Sequence, residues 1–198
     1  MGKVDDNKRK KKEKLLKSAY QLFTTQGFNN TSISDIVSHA NVAKGTFYLY
    51  FKDKFELKDQ LIQFKTYELI IEAGNEAYKQ DTRSLEERLI FIINYIVDYL
   101  DKDRGLLELI SKNLIMGVLR NQLISSSHEV TPIYQRFLDM MEKDEYEYND
   151  PEVLLITIVE IAGSTFYNSI TYNEPLPLED YKPFVFKIIR QIIIDFRK

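Results

Sequence analysis

The 198-residue chain contains no cysteine, which excludes a disulfide scaffold, Cys-ligated zinc and thiol catalysis. Only His39 and His128 supply imidazoles, too few for a multi-histidine metal site. No metal or other cofactor is therefore expected. The seven glycines never cluster, so there is no phosphate-cradling loop. Neither a Glu-x-x-His pair nor a Gly-x-Ser-x-Gly elbow occurs. Asp35, Ser38 and His39 lie too close together on one short helix to act as a relay. His39 reads as a surface or phosphate-side residue, and His128, beside Ser125, Ser126 and Ser127, as part of a loop. The common enzyme chemistries are missing, so the chain is not expected to be an enzyme.

Breaks in the pattern are also scarce. All five prolines (Pro132, Pro151, Pro175, Pro177, Pro183) fall in the last third, and no Asn-Gly or Asp-Gly hairpin signal appears. Strict alternation is rare and helical spacing dominates, so the fold class is all-α with about nine helices. No run reaches the ~18 uncharged apolar residues needed to span a bilayer, and no apolar segment follows the basic start. The expectation is a cytoplasmic protein with no membrane partner. The basic arm lacks the bulky apolar neighbours that a membrane-surface helix needs. With 44% hydrophobic and 29% charged residues, the composition is that of a folded globular protein.

Charge is distributed unevenly. Up to Lys54 there are 11 Lys or Arg against 5 Asp or Glu, a balance of +6; the remainder holds 16 and 25, a balance of -9. A basic head on an acidic body suits a molecule that presents one end to a polyanion. The only low-complexity stretch, residues 8–14, is basic and lies in that head.

The head reads as three short helical segments and the start of a fourth. Leu15, Leu16, Ala19, Tyr20 and Phe23 form one stripe of a first helix over about residues 10–26, closed by Gly27. Ser32, with Asp35 three residues on, reads as the capped start of a second helix carrying Ile36, Val37 and Ala40. Asn41 stands in the tight turn that follows, where a residue tolerant of positive φ is needed. A third helix begins near Lys44, and a long fourth helix follows Lys54. Two short helices across a tight turn make a helix-turn-helix, whose second helix enters the DNA major groove. Phe47 belongs to the small core. Lys44, Gly45, Thr46, Tyr48, Leu49 and Tyr50 remain for the outside, with Lys44 and Thr46 able to reach phosphates and Gly45 allowing close approach. A helical protein-binding adaptor would account for the body but not for this head.

Over these residues the chain resembles the TetR family of transcriptional regulators. The resemblance is carried by Ala19-Tyr-Gln-Leu-Phe23, Gly27-Phe28, Ser32-Ile-Ser-Asp-Ile36 and Ala40-Asn-Val-Ala-Lys-Gly-Thr-Phe-Tyr-Leu-Tyr-Phe-Lys-Asp-Lys54, followed by Leu57. It covers about the first third of the chain. Two positions depart from the pattern: Asn41 replaces the common turn glycine, and Val37 replaces a small residue at the helix crossing. The resemblance implies a DNA-binding domain over residues 1–54, with a basic arm at 1–14, and an effector-binding and dimerisation domain over 55–198. It implies a ligand-responsive repressor that binds an inverted-repeat operator in double-stranded DNA as a homodimer. Lys44, Thr46, Tyr48 and Lys54 would contact phosphates, and Lys54 would also pin the head at the start of the fourth helix. Gly45, Leu49 and Tyr50 would lie against the groove, Ser32 and Ser34 would touch the backbone, and the arm would follow the adjoining minor groove.

In the body, helices are expected over residues 85–100, 105–119, 133–141 and 152–172, with a last one rich in isoleucine. The helix over 152–172 is apolar almost all round and must be covered on every side. With the last helix it offers more apolar surface than one chain easily covers, and Gly163 and Ser164 permit close approach. The resemblance places a four-helix dimer interface there, at Val159, Gly163, Phe166, Ile188, Ile189, Ile192 and Phe196. A small-molecule effector is expected in a mostly aromatic cavity lined by Tyr95, Tyr99, Met116, Tyr134, Phe137, Met140, Phe166, Tyr167 and Asn168, suited to a flat or greasy molecule.

Overall fold

The computed structural model describes residues 3–80, 84–110 and 132–198. Among these residues there are nine helices and no strand. They are α1 (Lys3–Gln26), α2 (Ile33–His39), α3 (Lys44–Tyr48), α4 (Lys54–Lys79), α5 (Leu85–Lys102), α6 (Arg104–Leu109), α7 (Pro132–Glu142), α8 (Pro151–Tyr172) and α9 (Leu178–Asp195). The all-α expectation is met. The chain divides into two compact units, Met1–Lys65 and Thr66–Lys198.

In the first unit, α1 starts well before the expected residue 10. Lysine and arginine are good helix formers, and Arg9 pairs with Glu13 one turn on, so the basic stretch continues the helix. The core of this unit is Leu15, Leu16, Ala19 and Phe23 from α1, Ile36 and Val37 from α2, Phe47 from α3, and Phe51 after it. Leu57, Leu61 and Ile62 complete it, so the first turns of α4 belong to the head. Phe23, Phe28 and Phe55 form an edge-to-face chain at 5.1 and 5.2 Å between centroids.

The second unit holds the rest of α4 and α5–α9. α8 packs along α9, and α5 touches α6, α8 and α9. Pro151 opens α8, where its missing N–H costs nothing, and Asn173 closes it with φ 56°. α8 is long and apolar enough to cross a bilayer by length and composition alone. Counting unbroken apolar residues missed this because Glu160 interrupts the run. A core helix passes the same test, and here Leu154, Leu155, Ile158, Ala162, Phe166 and Ile170 are buried within the unit.

α9 carries Pro183 inside it, and its buried stripe is Leu178, Lys182, Val185, Ile189 and Ile193. The Lys182 ammonium bonds to Asp98 of α5 and to Glu179 at 2.6 Å. Burial alone would lower its pKa, but the two carboxylates outweigh burial and hold it above its ordinary value. Past α9 the chain end is strapped to the 147–149 segment by Asn149 N–H to Phe196 O (2.8 Å) and Lys198 N–H to Glu147 O (2.9 Å). The helix expected over 105–119 is seen as α6; its remainder, with Met116 and His128, lies outside the described residues.

Candidate nucleic-acid interface and ligand cavity

Local hydrogen bonds build the turn that aims α3. At the start of α2 the Asp35 amide donates to Ser32 Oγ (3.1 Å), and the Ser32 amide donates back to Asp35 Oδ2 (2.8 Å). This reciprocal capping box forms as the Ser-x-x-Asp spacing predicts. The Ser32 hydroxyl, then its backbone N–H, hold the Asp35 carboxyl below its ordinary pKa. At the other end Asn41 N–H reaches Ser38 O (3.1 Å) and Val42 N–H reaches Val37 O (3.0 Å). These two bonds, with Asn41 at φ 52°, make a Schellman motif. Val37 and Val42 are its apolar pair, which gives the valine at the helix crossing a local use. His39 Nδ1 lies 3.1 Å from the buried Ser18 hydroxyl and ties the end of α2 to α1.

Phe47 is fully buried, so the faces of α3 are fixed. Lys44, Gly45, Tyr48 and Leu49 are exposed; Thr46 and Tyr50 are half-buried. Leu49 is 79% and Tyr48 55% exposed, a large apolar area to leave in water. A Cβ added at Gly45 would meet nothing within 4 Å, so another surface can approach the backbone there. Ser32 and Ser34 are exposed, and the Lys44 ammonium donates to Ser34 Oγ (3.3 Å), which sets the three on one surface. Lys12 lies 5.9 Å from the Phe51 ring, which holds the basic stretch of α1 to the head.

Lys54 takes the pinning part of its expected role. Its ammonium points inward and donates to Phe28 O and Thr31 O, both at 2.7 Å, and lies 4.3 Å from the Phe28 ring centroid. It pins the loop between α1 and α2 to the start of α4. Those carbonyls occupy the ammonium that a phosphate would otherwise hold. A long lysine reaches either way, and nothing in the sequence around it marks these two oxygens.

The second unit holds a partly open cavity of about 190 Å³, walled by α4, α5, α6, α7 and α8. Each helix contributes a stripe: Leu69, Ile70 and Gly74 from α4; Leu89, Ile92, Ile93 and Ile96 from α5; Ile133, Arg136, Phe137 and Met140 from α7; Leu155, Ile158, Val159 and Ala162 from α8. Of the residues expected here, Phe137, Met140, Phe166 and Tyr167 line it. Tyr95, Tyr99, Tyr134 and Asn168 are not in its wall, because they fall off the stripes that face it. Tyr95 instead stacks on Phe91 and donates to Glu72 (2.9 Å), a bond that raises its pKa. The wall is consequently aliphatic rather than aromatic. Arg136, which sequence reasoning missed, donates to Asn75 Oδ1 (3.0 Å). Thr66 is buried in the wall with a hydroxyl that has no partner among the described residues.

The residues named for a dimer interface divide four ways. Ile188 is 52% exposed. Phe166 and Ile189 are buried inside the unit, Phe166 edge-on to Phe186 at 5.6 Å, and so cannot face a partner. Val159 and Gly163 line the cavity, and Ile192 and Phe196 are half-buried. Val153, Phe184 and Ile194 are exposed apolar side chains on the same two helices. On α9 they were findable: Phe184 and Ile188 are one turn apart, opposite the buried stripe.

Comparison with known proteins follows this geometry closely. Residues 15–61, which span the capped helices, the turn and the start of α4, match the family described as bacterial regulatory proteins, tetR family. The probable HTH-type transcriptional regulator YttP of Bacillus subtilis (strain 168) is 24% identical over 89% of this chain and 87% of its own length. Among solved structures, RolR in complex with resorcinol superposes with a TM-score of 0.66 at 16% identity, over 96% of this chain and 90% of that one. The transcriptional regulator FadR from Bacillus subtilis in complex with stearoyl-CoA gives 0.60 at 18%, over 91% and 98%. At such identities the two structures share the fold with this chain, and their ligands belong to them.

Proposed function

We propose that the chain, which matches the tetR family over residues 15–61, is a DNA-binding, ligand-responsive repressor that binds an inverted-repeat operator as a homodimer in the cytoplasm. The observation that carries the DNA reading is the outer face of α3, where Lys44, Gly45, Tyr48 and Leu49 lie exposed on a helix fixed by the fully buried Phe47. Lys44, Thr46 and Tyr48 contact phosphates there, Gly45, Leu49 and Tyr50 lie against the groove, and Ser32 and Ser34 touch the backbone beside them. Residues 1–54 then serve as the DNA-binding domain and 55–198 as the effector-binding and dimerisation domain. The basic stretch of α1 adds attraction to flanking phosphates.

The homodimer reading is supported by Val153, Phe184, Ile188 and Ile194, large apolar side chains exposed on α8 and α9. A two-fold pairing of such a patch covers both copies at once, and an inverted repeat offers two α3 helices half-sites about 34 Å apart. α4 supplies the link between ligand and DNA. Its early residues Leu57, Leu61 and Ile62 are head core, and its later residues Leu69, Ile70 and Gly74 are cavity wall. A ligand that prefers one position of α4 shifts the spacing of the two heads, and only that preference moves the equilibrium.

A gel-shift titration against duplexes from the region upstream of the coding sequence, at several salt concentrations, tests the reading. Lys44→Ala weakens binding and lowers the salt slope by about 0.9 per lost phosphate contact. Phe184→Asp yields monomers by light scattering. A protein that ignores every duplex at low ionic strength refutes the proposal.

A further inference from the structure

We infer that the cavity of the second unit takes an unbranched alkyl chain of about eight carbons with an anionic end group held by Arg136; a comparable apolar cavity of ~150 Å³ holds six-carbon benzene. The inference rests on the ligand-response reading above and names the ligand class.

The wall is the first argument. Of the 26 described lining residues, seventeen are aliphatic, one is Met140 and four are aromatic. A flat ring gains from offset or edge-on contact with other rings, and the tyrosines that would have offered it, Tyr95, Tyr99 and Tyr134, lie outside the wall. Isoleucine, leucine and valine attract by buried area alone, so they favour a chain that bends to follow them. Shape agrees. The α4 side of the cavity runs from Thr66 to Tyr78, and those twelve residue steps of helix span about 18 Å, an elongated wall that suits a chain better than a ring. At ~190 Å³ the cavity is about a quarter larger than the one that holds benzene, hence about eight carbons.

The anionic end follows from charge. Arg136 is the one charged residue among the described residues lining the cavity; its stem lies along the wall and its guanidinium stands half-exposed at the mouth. Its Nη1 lies beside Gly74, 3.8 Å from where a Cβ would stand, and donates to Asn75. Among the described residues no acidic side chain pairs with it. A guanidinium held by a neutral amide keeps donors for a carboxylate, which it grips through two parallel bonds. A glycine beside it leaves room for the head group.

The test titrates the full-length protein with hexanoate, octanoate, decanoate and dodecanoate by calorimetry, with 1-octanol and 2-naphthoate as controls. Affinity should rise about fourfold per added methylene up to about the octanoate length and then flatten. Octanoate should bind at least tenfold tighter than 1-octanol, since charge-assisted bonds are the stronger ones. Arg136→Gln should erase that acid-over-alcohol difference while keeping octanol binding, which also shows that the variant is folded. Ile96→Phe should fill the cavity and abolish binding of both. The inference is overturned if 2-naphthoate outbinds octanoate, if chain length has no effect, or if Arg136→Gln leaves the acid preference intact. Duplex affinity measured with each compound separates the two readings. Octanoate that binds without changing DNA affinity upholds the pocket assignment and refutes ligand response. Release of DNA by a ring compound that displaces no octanoate refutes the pocket assignment and leaves ligand response standing.

Discussion

Replacing Lys54 with methionine separates two roles for one side chain. The ammonium donates to Phe28 O and Thr31 O at 2.7 Å and stands 4.3 Å from the Phe28 ring. Hydrogen bonds to charged groups contribute about 1.5–3 kcal/mol each. Both bonds are only part-buried, so the lower end applies, and the cation–π contact adds about 0.5–1 kcal/mol. These terms are not additive in full, and Lys54→Met should destabilise the head by about 3 kcal/mol. Methionine keeps the apolar stem packed, so the loss is that of the charge and its bonds. Because the chain has two compact units, one melting temperature does not report the head alone. Native-state hydrogen exchange at amides of α1 and early α4 does, and protection there should fall about a hundredfold. The salt slope of DNA binding, measured where the head is folded, should stay unchanged. Intact protection together with a slope lowered by about 0.9 would place Lys54 on a phosphate and refute the pinning argument.

Three further outcomes follow from local geometry. Asn41, at φ 52°, should tolerate glycine within about 0.5 kcal/mol, lose about 1 kcal/mol as alanine and more as valine, whose branched Cβ is worst placed at positive φ; urea melts of the three variants check the order. The Asp35 carboxyl is held below its ordinary value of 3.8 by the Ser32 hydroxyl and amide, so its contribution is present above that pH and lost as pH falls through the lower folded value. The stability gap between wild type and Ser32→Ala should therefore be constant from pH 7 to 5 and shrink below about pH 4. Lys182, with a raised pKa, contributes below its unfolded value and loses the contribution only in strong alkali. Lys182→Met should cost under about 1 kcal/mol, because Asp98 and Glu179 are left partly exposed rather than stranded, while Lys182→Ala should cost about 2 kcal/mol or more through lost packing, as thermal melts at pH 7 will show.

What the sequence disclosed, and what it withheld, divides by range. The head is written in local terms. The Ser32–Asp35 spacing implies a capping box, Asn41 implies a left-handed turn, and Phe47 between polar neighbours implies which face of α3 turns inward. Each of these involves residues within a few positions of one another, and each holds in the structure. For Lys54 the pinning role was legible but its partners were not, because the carbonyls of residues 28 and 31 are brought near only when the head folds.

The cavity failed for a related reason, and the failure is instructive. Choosing lining residues by type favoured tyrosines, since aromatic rings suit ligands in general. Position on the helix decides instead. On α5 the wall residues 89, 92, 93, 96, 97 and 100 follow helical spacing without a break, and Tyr95 and Tyr99 lie off that stripe. On α8 the sequence could not choose, because a helix apolar nearly all round offers more than one such stripe. The structure assigns one, through Leu155, Ile158, Val159 and Ala162, to the cavity, while Val153 stays outside. One helix thus carries both a cavity wall and an exposed apolar surface. A ligand that shifts α8 would therefore act on any partner held there as well as on the wall.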